Sequence, residues 1–270
     1  MTTTAAPAMR SQTGSSYRLT FPRALRSEWI KLSTLRSTWW SIGITAIVTI
    51  GVALLIAQSM DVPGFEPIQA VVSPVQFTML LAGILGVIAV TGEYSTGMIR
   101  STLAADPVRG SVLAAKAIVV AVFLFIASLV ISLAAALAVS PIFASRDTPF
   151  PWDAPADSLL PILAAAVSMA VCALIGVAFG FILRSGAGAI AVTVGLLFIL
   201  PIVMNIFAMP GDEWRWIIDV SNHLPMSAAQ SAILPQDGWG LPVGEAYLTL
   251  GAWVAAGMLS AWAVLRTRDA

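Results

Sequence analysis

Residues that could carry catalytic or metal chemistry are scarce in this sequence of 270 amino acids. It has one histidine, His223, and one cysteine, Cys172, so it can assemble neither a Cys/His metal cluster nor an intrachain disulfide. It lacks the HExxH pattern of metalloproteases and a complete phosphate-binding loop, because GSVLAAK has neither the second glycine nor a following Ser or Thr. We therefore predict a chain that is not an enzyme, binds no metal or cofactor itself and takes any energy from elsewhere.

The segment 91–116, TGEYSTGMIRSTLAADPVRGSVLAAK, interrupts apolar sequence with acids, bases, glycines and hydroxyls. Its glycines permit a sharp turn. Ser95 or Thr96 can cap a short helix from Met98 to about Ala105, and Asp106 can cap the next helix.

This short helix is expected to offer an apolar knob. A solvated loop would not need Met98, Ile99 and Leu103 pointing into water. Apolar side chains beside charged ones suit docking into a groove of another protein. The flanking charges are Glu93, Arg100, Asp106 and Arg109.

The elements that must position these residues are membrane helices. Hydrophobic residues make up 58% of the chain and charged residues only 10%, which argues against a soluble α-domain. Six apolar runs lack Asp, Glu, Lys and Arg and approach the ~20 residues that span a bilayer. They do not alternate as strands of a membrane barrel would. The predicted spans are about 39–57, 75–90, 117–139, 159–183, 187–209 and 246–265, within a transmembrane domain of residues 39–265.

The basic residues predict the orientation. All of the 14 Lys and Arg residues except Arg146 and Arg215 fall on one side of these spans, and most acids fall on the other. The positive-inside rule then places both termini in the cytoplasm, with residues 266–270 as a cytoplasmic tail.

The N-terminal region divides into two predicted parts. Residues 1–22 are expected to be a disordered cytoplasmic segment, and residues 23–38 an amphipathic helix on the inner leaflet. Leu25, Trp29 and Leu32 share one face of this helix, while the bases point elsewhere toward lipid phosphates. Simple anchoring to lipid and contact with a cytoplasmic partner both remain open. The residues assigned to this interface helix are Arg26, Glu28, Trp29 and Lys31.

The outer segment 210–245 predicts two short helices, Trp214–Val220 and Met226–Ile233, separated by SNHLP. They are too short to span the membrane, and their tryptophans suit its interface. We expect them to lie on or dip into the outer leaflet, with an ordinary surface loop as the alternative. The residues assigned to this outer re-entrant region are Trp214, Trp216, His223 and Pro225.

Two features inside the spans bear on packing. In the fourth span small residues recur at every fourth position from Ala164 to Gly180, which favours close helix packing inside the bundle. In the fifth span Pro201 is expected to disturb the helix. Asn205, near the outer end of the same span, is a possible substrate contact, although a hydrogen bond between helices is the simpler role.

Three stretches together resemble the permease subunit of a bacterial type-2 ABC exporter. They are ALRSEWIKLSTLRSTWW before the first span, the segment 91–116 after the second, and the half-helix pair before the sixth. The resemblance implies an all-α six-helix bundle with an N-terminal interface helix and short outer re-entrant helices between spans five and six.

The resemblance also implies partners and roles. Such a subunit pairs with a second permease subunit, identical or paralogous, and with two copies of a separate ATPase that binds ATP and magnesium. Membrane lipids are further partners, and no nucleic acid is expected. The first inner loop would be the coupling helix that contacts the ATPase. That role would fall on Glu93, Tyr94, Ser95, Thr96, Met98, Ile99, Arg100 and Arg109.

The resulting prediction is a multi-pass protein of the bacterial inner membrane that exports an amphipathic or hydrophobic substrate, such as a drug, antibiotic, peptide or lipid. The alternative is a non-transporting membrane anchor or sensor subunit that recruits a cytoplasmic partner. An ion-coupled carrier is disfavoured because the predicted spans hold no ionisable residue.

Overall fold

The computed structural model describes residues 20–60, 62, 64–105, 108–207, 214–235 and 240–267. Most of the predicted disordered segment, residues 1–19, and the last three residues of the predicted tail lie outside these ranges, as does Asp106 with its predicted cap. The helices are α1 (Phe21–Thr34), α2 (Arg36–Ser59), α3 (Pro67–Val72), α4 (Val75–Ser95), α5 (Met98–Ala105), α6 (Arg109–Ala144), α7 (Pro155–Leu183), α8 (Gly186–Val194), α9 (Leu200–Phe207), α10 (Arg215–Asn222), α11 (Pro225–Ile233) and α12 (Val243–Thr267).

Prolines mark the starts of several of these helices. Proline lies in the first turn of α1, α3, α7 and α11. Its fixed backbone angle suits that position, where its missing N–H is not needed by the helix. At α3 a capping box between Glu66 and Gln69 satisfies the free N–H groups as well.

Within the described ranges six segments are long and apolar enough to cross a membrane, which confirms the predicted six-helix, all-α architecture. The second is formed by α3 with α4, and the fifth runs from α8 through α9. The helices extend beyond the predicted uncharged limits. The second reaches Ser95 and so includes Glu93, and the third begins at Arg109 and so includes Lys116.

The centre of the bundle is the contact between α4 and α7. Of the most apolar stretch of α7, 67% is buried within the chain, compared with 17% in the fifth span and in α12. A Cβ built on Gly86 would overlap the backbone carbonyl of Ala173, and one on Gly176 would overlap that of Gly83. The glycines therefore let the two backbones approach directly, as the small-residue pattern in the fourth span predicted.

The fifth span departs from α geometry at the predicted place. A π-helical segment, Gly195–Ile199, separates α8 from α9, and Pro201 follows it at the second position of α9. Proline cannot donate the backbone hydrogen bond that an α-helix requires there, and π-helical turns accommodate such interruptions.

Side chains on loops and helix starts fasten the two ends of the bundle. At one end Arg146 donates hydrogen bonds to the carbonyls of Ala57 at 2.7 Å and Gln58 at 3.0 Å, which satisfies free groups at the C-terminus of α2. At the other end Arg109 donates to the carbonyl of Leu265, 2.5 Å away. Since α1 also packs on the first turns of α6, the first and last described helices reach the same end of the bundle.

Candidate functional site

Four charged side chains meet where α1, α4 and α6 converge. Lys31 Nζ of α1 lies 2.7 Å from Glu28 Oε1 on the same helix and 2.9 Å from Glu93 Oε1 on α4. Lys116 Nζ of α6 lies 2.7 Å from Glu93 Oε1 and also pairs with Glu28 Oε2. We call Glu28, Lys31, Glu93 and Lys116 the ion cluster.

The ion cluster is almost completely shielded from solvent. Glu28, Glu93 and Lys116 are only 6%, 4% and 3% exposed. Buried charges are tolerated only when they are paired and hydrogen-bonded, and two carboxylates here neutralise two ammonium groups. These pairs attach α1 to the ends of α4 and α6, so the position of one helix depends on the others.

Lys31 is the most accessible member, with 26% of its side chain exposed. Burial alone would lower its pKa, but hydrogen bonds and electrostatic attraction to Glu28 and Glu93 outweigh burial and raise the pKa above its ordinary value. Lys31 therefore stays charged at neutral pH and contributes a permanent ion pair.

The residues of the predicted coupling loop separate into a buried and an exposed group. Glu93 and Ile99 are buried, Tyr94 is half-buried and Leu103 packs against the core, so the predicted apolar knob is largely covered by the chain itself. The exposed coupling-loop residues are Ser95, Thr96, Met98 and Arg100. Of the predicted coupling residues, this second group, with Met98 at 40% exposure, presents the surface that a partner can touch, and Arg109 is half-buried.

Ser95 and Thr96 do not cap the start of α5 as predicted, but bond to the end of α4. The hydroxyls of Ser95 and Thr96 donate back to the carbonyl of Gly92, at 3.0 and 2.9 Å, and thus close the end of α4. Gly92 itself is helical, whereas Gly97 has a φ of +73°, a conformation that favours glycine. Gly97 is therefore the residue at which the chain turns from α4 into α5.

The short loop between α7 and α8 contacts the same turn of α4. Arg184 ends α7 in the left-handed conformation, and its guanidinium lies 5.4 Å from the centre of the Tyr94 ring. That ring also meets Phe181 edge to face at 6.4 Å. The contact with Arg184 combines cation–π attraction with packing, and it ties the loop between α7 and α8 to the last turn of α4.

The helix predicted to lie on the inner leaflet is α1. Arg26 is exposed, and Trp29 is 40% exposed while its ring meets Phe123 edge to face at 5.6 Å. Lys31, expected to face lipid phosphates, instead points inward to the ion cluster together with Glu28. The helix thus exposes aromatic and aliphatic side chains and turns two of its charges toward the protein.

The ion cluster was only partly foreseen from the sequence, because its members come from three separate segments. Glu28, Lys31 and Glu93 were predicted site residues but in different roles, and Lys116 was not assigned to the site. A usable signal was present. Glu28 and Glu93 are two of the few acids on the strongly basic side, which suggests that each is held by a base.

A cavity of about 550 Å³ lies at the opposite end of the bundle, between α2, α3, α4, α9 and α11. Its polar lining consists of uncharged amides and hydroxyls, among them Gln76, Asn205 and Gln230. Gln230 donates to Gln76 at 3.2 Å and so links α11 to α4. We call this cavity the outer cavity. Asn205 lines the outer cavity, and its side-chain amide donates a 2.8 Å hydrogen bond to the carbonyl of Pro201 in the same helix instead of bonding to a neighbouring helix.

The remaining predicted outer residues surround the two short helices α10 and α11. Trp214 precedes α10, and Trp216 on α10 is 59% exposed. His223 accepts at its backbone carbonyl a 2.8 Å hydrogen bond from the indole of Trp253 on α12, and Pro225 opens α11. The two predicted short helices are therefore present and are fastened to α12 and α4.

Taken together, six membrane-length helices with an ion cluster at one end and a polar cavity at the other define a multi-pass helical membrane protein. Residues 24–201, more than half of the chain, match the family model described as ABC-2 family transporter protein, and the chain belongs to that family. The resemblance to a type-2 ABC permease is thereby confirmed, and the match includes all four members of the ion cluster. No curated protein matches the chain.

Membership of this family makes the chain a permease component of an ABC transporter, which associates with an ABC ATPase. Among the described residues no group of three or more His, Cys, Asp or Glu side chains is arranged to hold a metal.

Proposed function

We propose that this permease subunit exports its substrate across the bacterial inner membrane, pairs with a second permease subunit and is driven by two separate ATPase subunits. ATP and magnesium bind to those partners. Both termini lie in the cytoplasm. The proposal is supported by the basic residues gathered at the end of the bundle that contains α1, α5 and the end of α12.

The observation that carries this proposal is the junction of α5 with the ion cluster. Met98 and Arg100 expose an apolar and a cationic group on α5. Glu93, one turn earlier on α4, joins α4 to α1 and α6 through Lys31 and Lys116. A movement imposed on α5 is therefore transmitted to three helices at once, which is what coupling to ATP hydrolysis requires.

The cargo route is assigned to the outer cavity. Its amides and hydroxyls suit a cargo that forms several hydrogen bonds, and Val52, Phe77 and Met79 supply apolar contacts. This mixture fits an amphipathic drug, antibiotic, peptide or lipid. The short helices α10 and α11 lie beside the cavity and are placed to cover the exit.

The coupling role is tested with the double variant Met98→Ala/Arg100→Ala, reconstituted with the ATPase. We expect the variant to fold normally but to lose ATPase binding and stimulated ATP hydrolysis, because it removes the exposed contact surface. The matched control is Met60→Ala/Arg36→Ala, since Met60 is 45% exposed at the opposite end and Arg36 is exposed outside α5. Equal binding and hydrolysis in the two variants would contradict the coupling assignment.

The alternative, a non-transporting anchor or sensor subunit, would also need α1 and α5 but would not need the outer cavity. Asn205→Trp fills that cavity, whereas Ile206→Trp places the same ring on a neighbouring side chain that is 69% exposed. We expect Asn205→Trp to reduce transport severalfold while ATPase binding remains intact, and Ile206→Trp to have little effect. A transport rate that equals the wild-type rate in both variants would contradict the cargo route.

A further inference from the structure

A second cavity, of about 460 Å³, adjoins the ion cluster. It lies between α1, the start of α2, the last turns of α4 and the first turns of α6, at the end of the bundle away from the outer cavity. We call it the inner cavity. It borders the proposed coupling surface, since Ser95, Thr96 and Met98 also line it, whereas the proposed cargo route lies elsewhere.

One wall of the inner cavity is apolar. It is formed by Leu35 on the link between α1 and α2, by Ile88 and Ala89 on α4, and by Val119 and Val120 on α6. Leu35 is 47% and Ile88 39% exposed, so the apolar wall continues onto the outer surface of the bundle. In a bilayer that surface faces hydrocarbon, and an alkyl chain can enter along it.

The other wall is polar and contains the ion cluster, with the hydroxyls of Ser95 and Thr96 beside it. The carboxylate of Glu93 is only half satisfied. Oε1 accepts hydrogen bonds from Lys31 and Lys116, whereas Oε2 is buried and has no hydrogen-bond partner among the described residues. A buried carboxylate oxygen without a donor is costly, and Glu93 lines the inner cavity, so an external N–H or O–H group that reached Oε2 from the cavity would satisfy it.

We propose that the inner cavity binds a phospholipid with a primary ammonium headgroup. The ammonium donates to Glu93 Oε2, the phosphate lies toward the exposed side of Lys31, and an acyl chain covers the apolar wall formed by Ile88 and Val119. Charge complementarity favours this occupant. The ion cluster is neutral overall, so a zwitterion brings both of its charges to opposite partners without adding net charge to a buried site.

The lipid would fill the space between α1 and the ends of α4 and α6 and would contact all three helices. The helices that it contacts are the ones that the ion cluster joins, so its presence strengthens the attachment of α1. This inference concerns lipid binding to the permease itself, and it holds or fails independently of transport direction and cargo.

The test is lipid binding to the purified full chain in detergent, measured by native mass spectrometry. The probes are phosphatidylethanolamine, phosphatidylcholine, whose quaternary ammonium has no N–H to donate, and phosphatidylglycerol, which has no ammonium. We expect phosphatidylethanolamine to bind about tenfold or more tightly than the other two, the factor expected for one charge-assisted hydrogen bond. Glu93→Gln should remove most of that preference.

Because Glu93→Gln also disturbs the ion cluster, a second variant keeps the test decisive. Ile88→Trp fills the space beside the apolar wall without removing a charge, and Ile126→Trp adds the same ring on α6 at a side chain that is 48% exposed and outside the cavity. We expect Ile88→Trp to weaken phosphatidylethanolamine binding about tenfold and Ile126→Trp to leave it unchanged.

Three outcomes would overturn the proposal. Equal binding of the three lipids, unaffected by Ile88→Trp, would show that the cavity does not select an ammonium lipid. Binding of dodecylamine without binding of phosphatidylethanolamine would assign the same chemistry to a cationic cargo. Loss of the dimer in Ile88→Trp, with no lipid preference in the wild type, would assign this face to a second copy of the chain.

Discussion

The seam between α4 and α7 and the ion cluster between α1, α4 and α6 share helix α4 but hold the bundle by opposite means. In the seam, Gly86 and Gly176 bring two backbones into direct contact and leave no space for a Cβ. In the ion cluster, four long charged side chains bridge three helices. The first depends on missing side chains and the second on charged ones.

This difference follows from the surroundings of each junction. Within hydrocarbon, lipid is as apolar as leucine, so helices associate through close packing of small residues. At the end of the bundle, charges can be retained if each is paired. The seam therefore fixes α4 and α7 as one unit through their backbones, whereas the ion cluster attaches α1 through charged side chains.

The largest effect is expected for Gly176→Val. Its side chain would overlap the carbonyl of Gly83, so α4 and α7 would have to separate. Overpacking of this kind costs about 3 kcal/mol or more, and we expect loss of monodisperse protein in size-exclusion chromatography. The control is Gly251→Val on α12, where nothing lies within 4 Å of an added Cβ. Comparable yields of the two variants would contradict direct backbone contact in the seam.

Lys116→Met should have the next largest effect. It leaves Glu28 and Glu93 to share Lys31, and breaking one partner of a buried ion pair costs about 3–5 kcal/mol. The free energy of unfolding, measured by denaturant titration in detergent, should fall by that amount, while Arg36→Met at an exposed position should change it little.

The double variant Lys116→Met/Glu28→Gln sharpens this result, because it removes one charge of each sign. We expect it to recover part of the loss. A double variant that is destabilised by the sum of the two single effects would show that the charges do not act as a cluster.

A smaller effect is expected at Tyr94, where α4 meets Arg184. Tyr94→Leu removes the cation–π contact and the edge-to-face contact with Phe181, which together contribute about 1–2 kcal/mol. Tyr94→Phe retains the ring, and the phenol oxygen that it removes has no hydrogen-bond partner among the described residues. The midpoint temperature of thermal unfolding should therefore fall for Tyr94→Leu and hardly change for Tyr94→Phe. The opposite ranking would mean that the hydroxyl, and not the ring, makes the contact.

The smallest effect is expected for Ser168→Ala in α7. Ser168 is fully buried, and its hydroxyl has no hydrogen-bond partner in the described part of the chain. If the packing of α7 depends on small size and not on polarity, the free energy of unfolding should stay within about 0.5 kcal/mol of the wild type. A loss well above that value would show that the hydroxyl donates a hydrogen bond.

The sequence predicted the seam better than the ion cluster, and the reason is the range over which each pattern extends. Small residues from Ala164 to Gly180 repeat along a single helix, so their shared face can be read from spacing alone. The ion cluster combines residues 28, 31, 93 and 116, and no local pattern shows that these positions meet in space.

The coupling segment also shows that local patterns predict a helix better than they predict its contacts with distant residues. The helix from Met98 to Ala105 was predicted correctly, because it lies between turn residues. The predicted second span ends at about residue 90, whereas α4 continues to Ser95, and this extra turn places Glu93 in the buried ion cluster. The reversed direction of the Ser95 and Thr96 hydrogen bonds follows from the same extension.

The most direct test of the proposed coupling surface uses the single native cysteine, Cys172, which is fully buried and so leaves an introduced surface cysteine as the reactive thiol. Met98→Cys and Met60→Cys place that thiol on opposite ends of the bundle at similar exposure. With a thiol-to-amine crosslinker and the cognate ATPase, our account predicts a permease–ATPase product from Met98→Cys and none from Met60→Cys. A product from Met60→Cys alone, or equal yields from both variants, would contradict it.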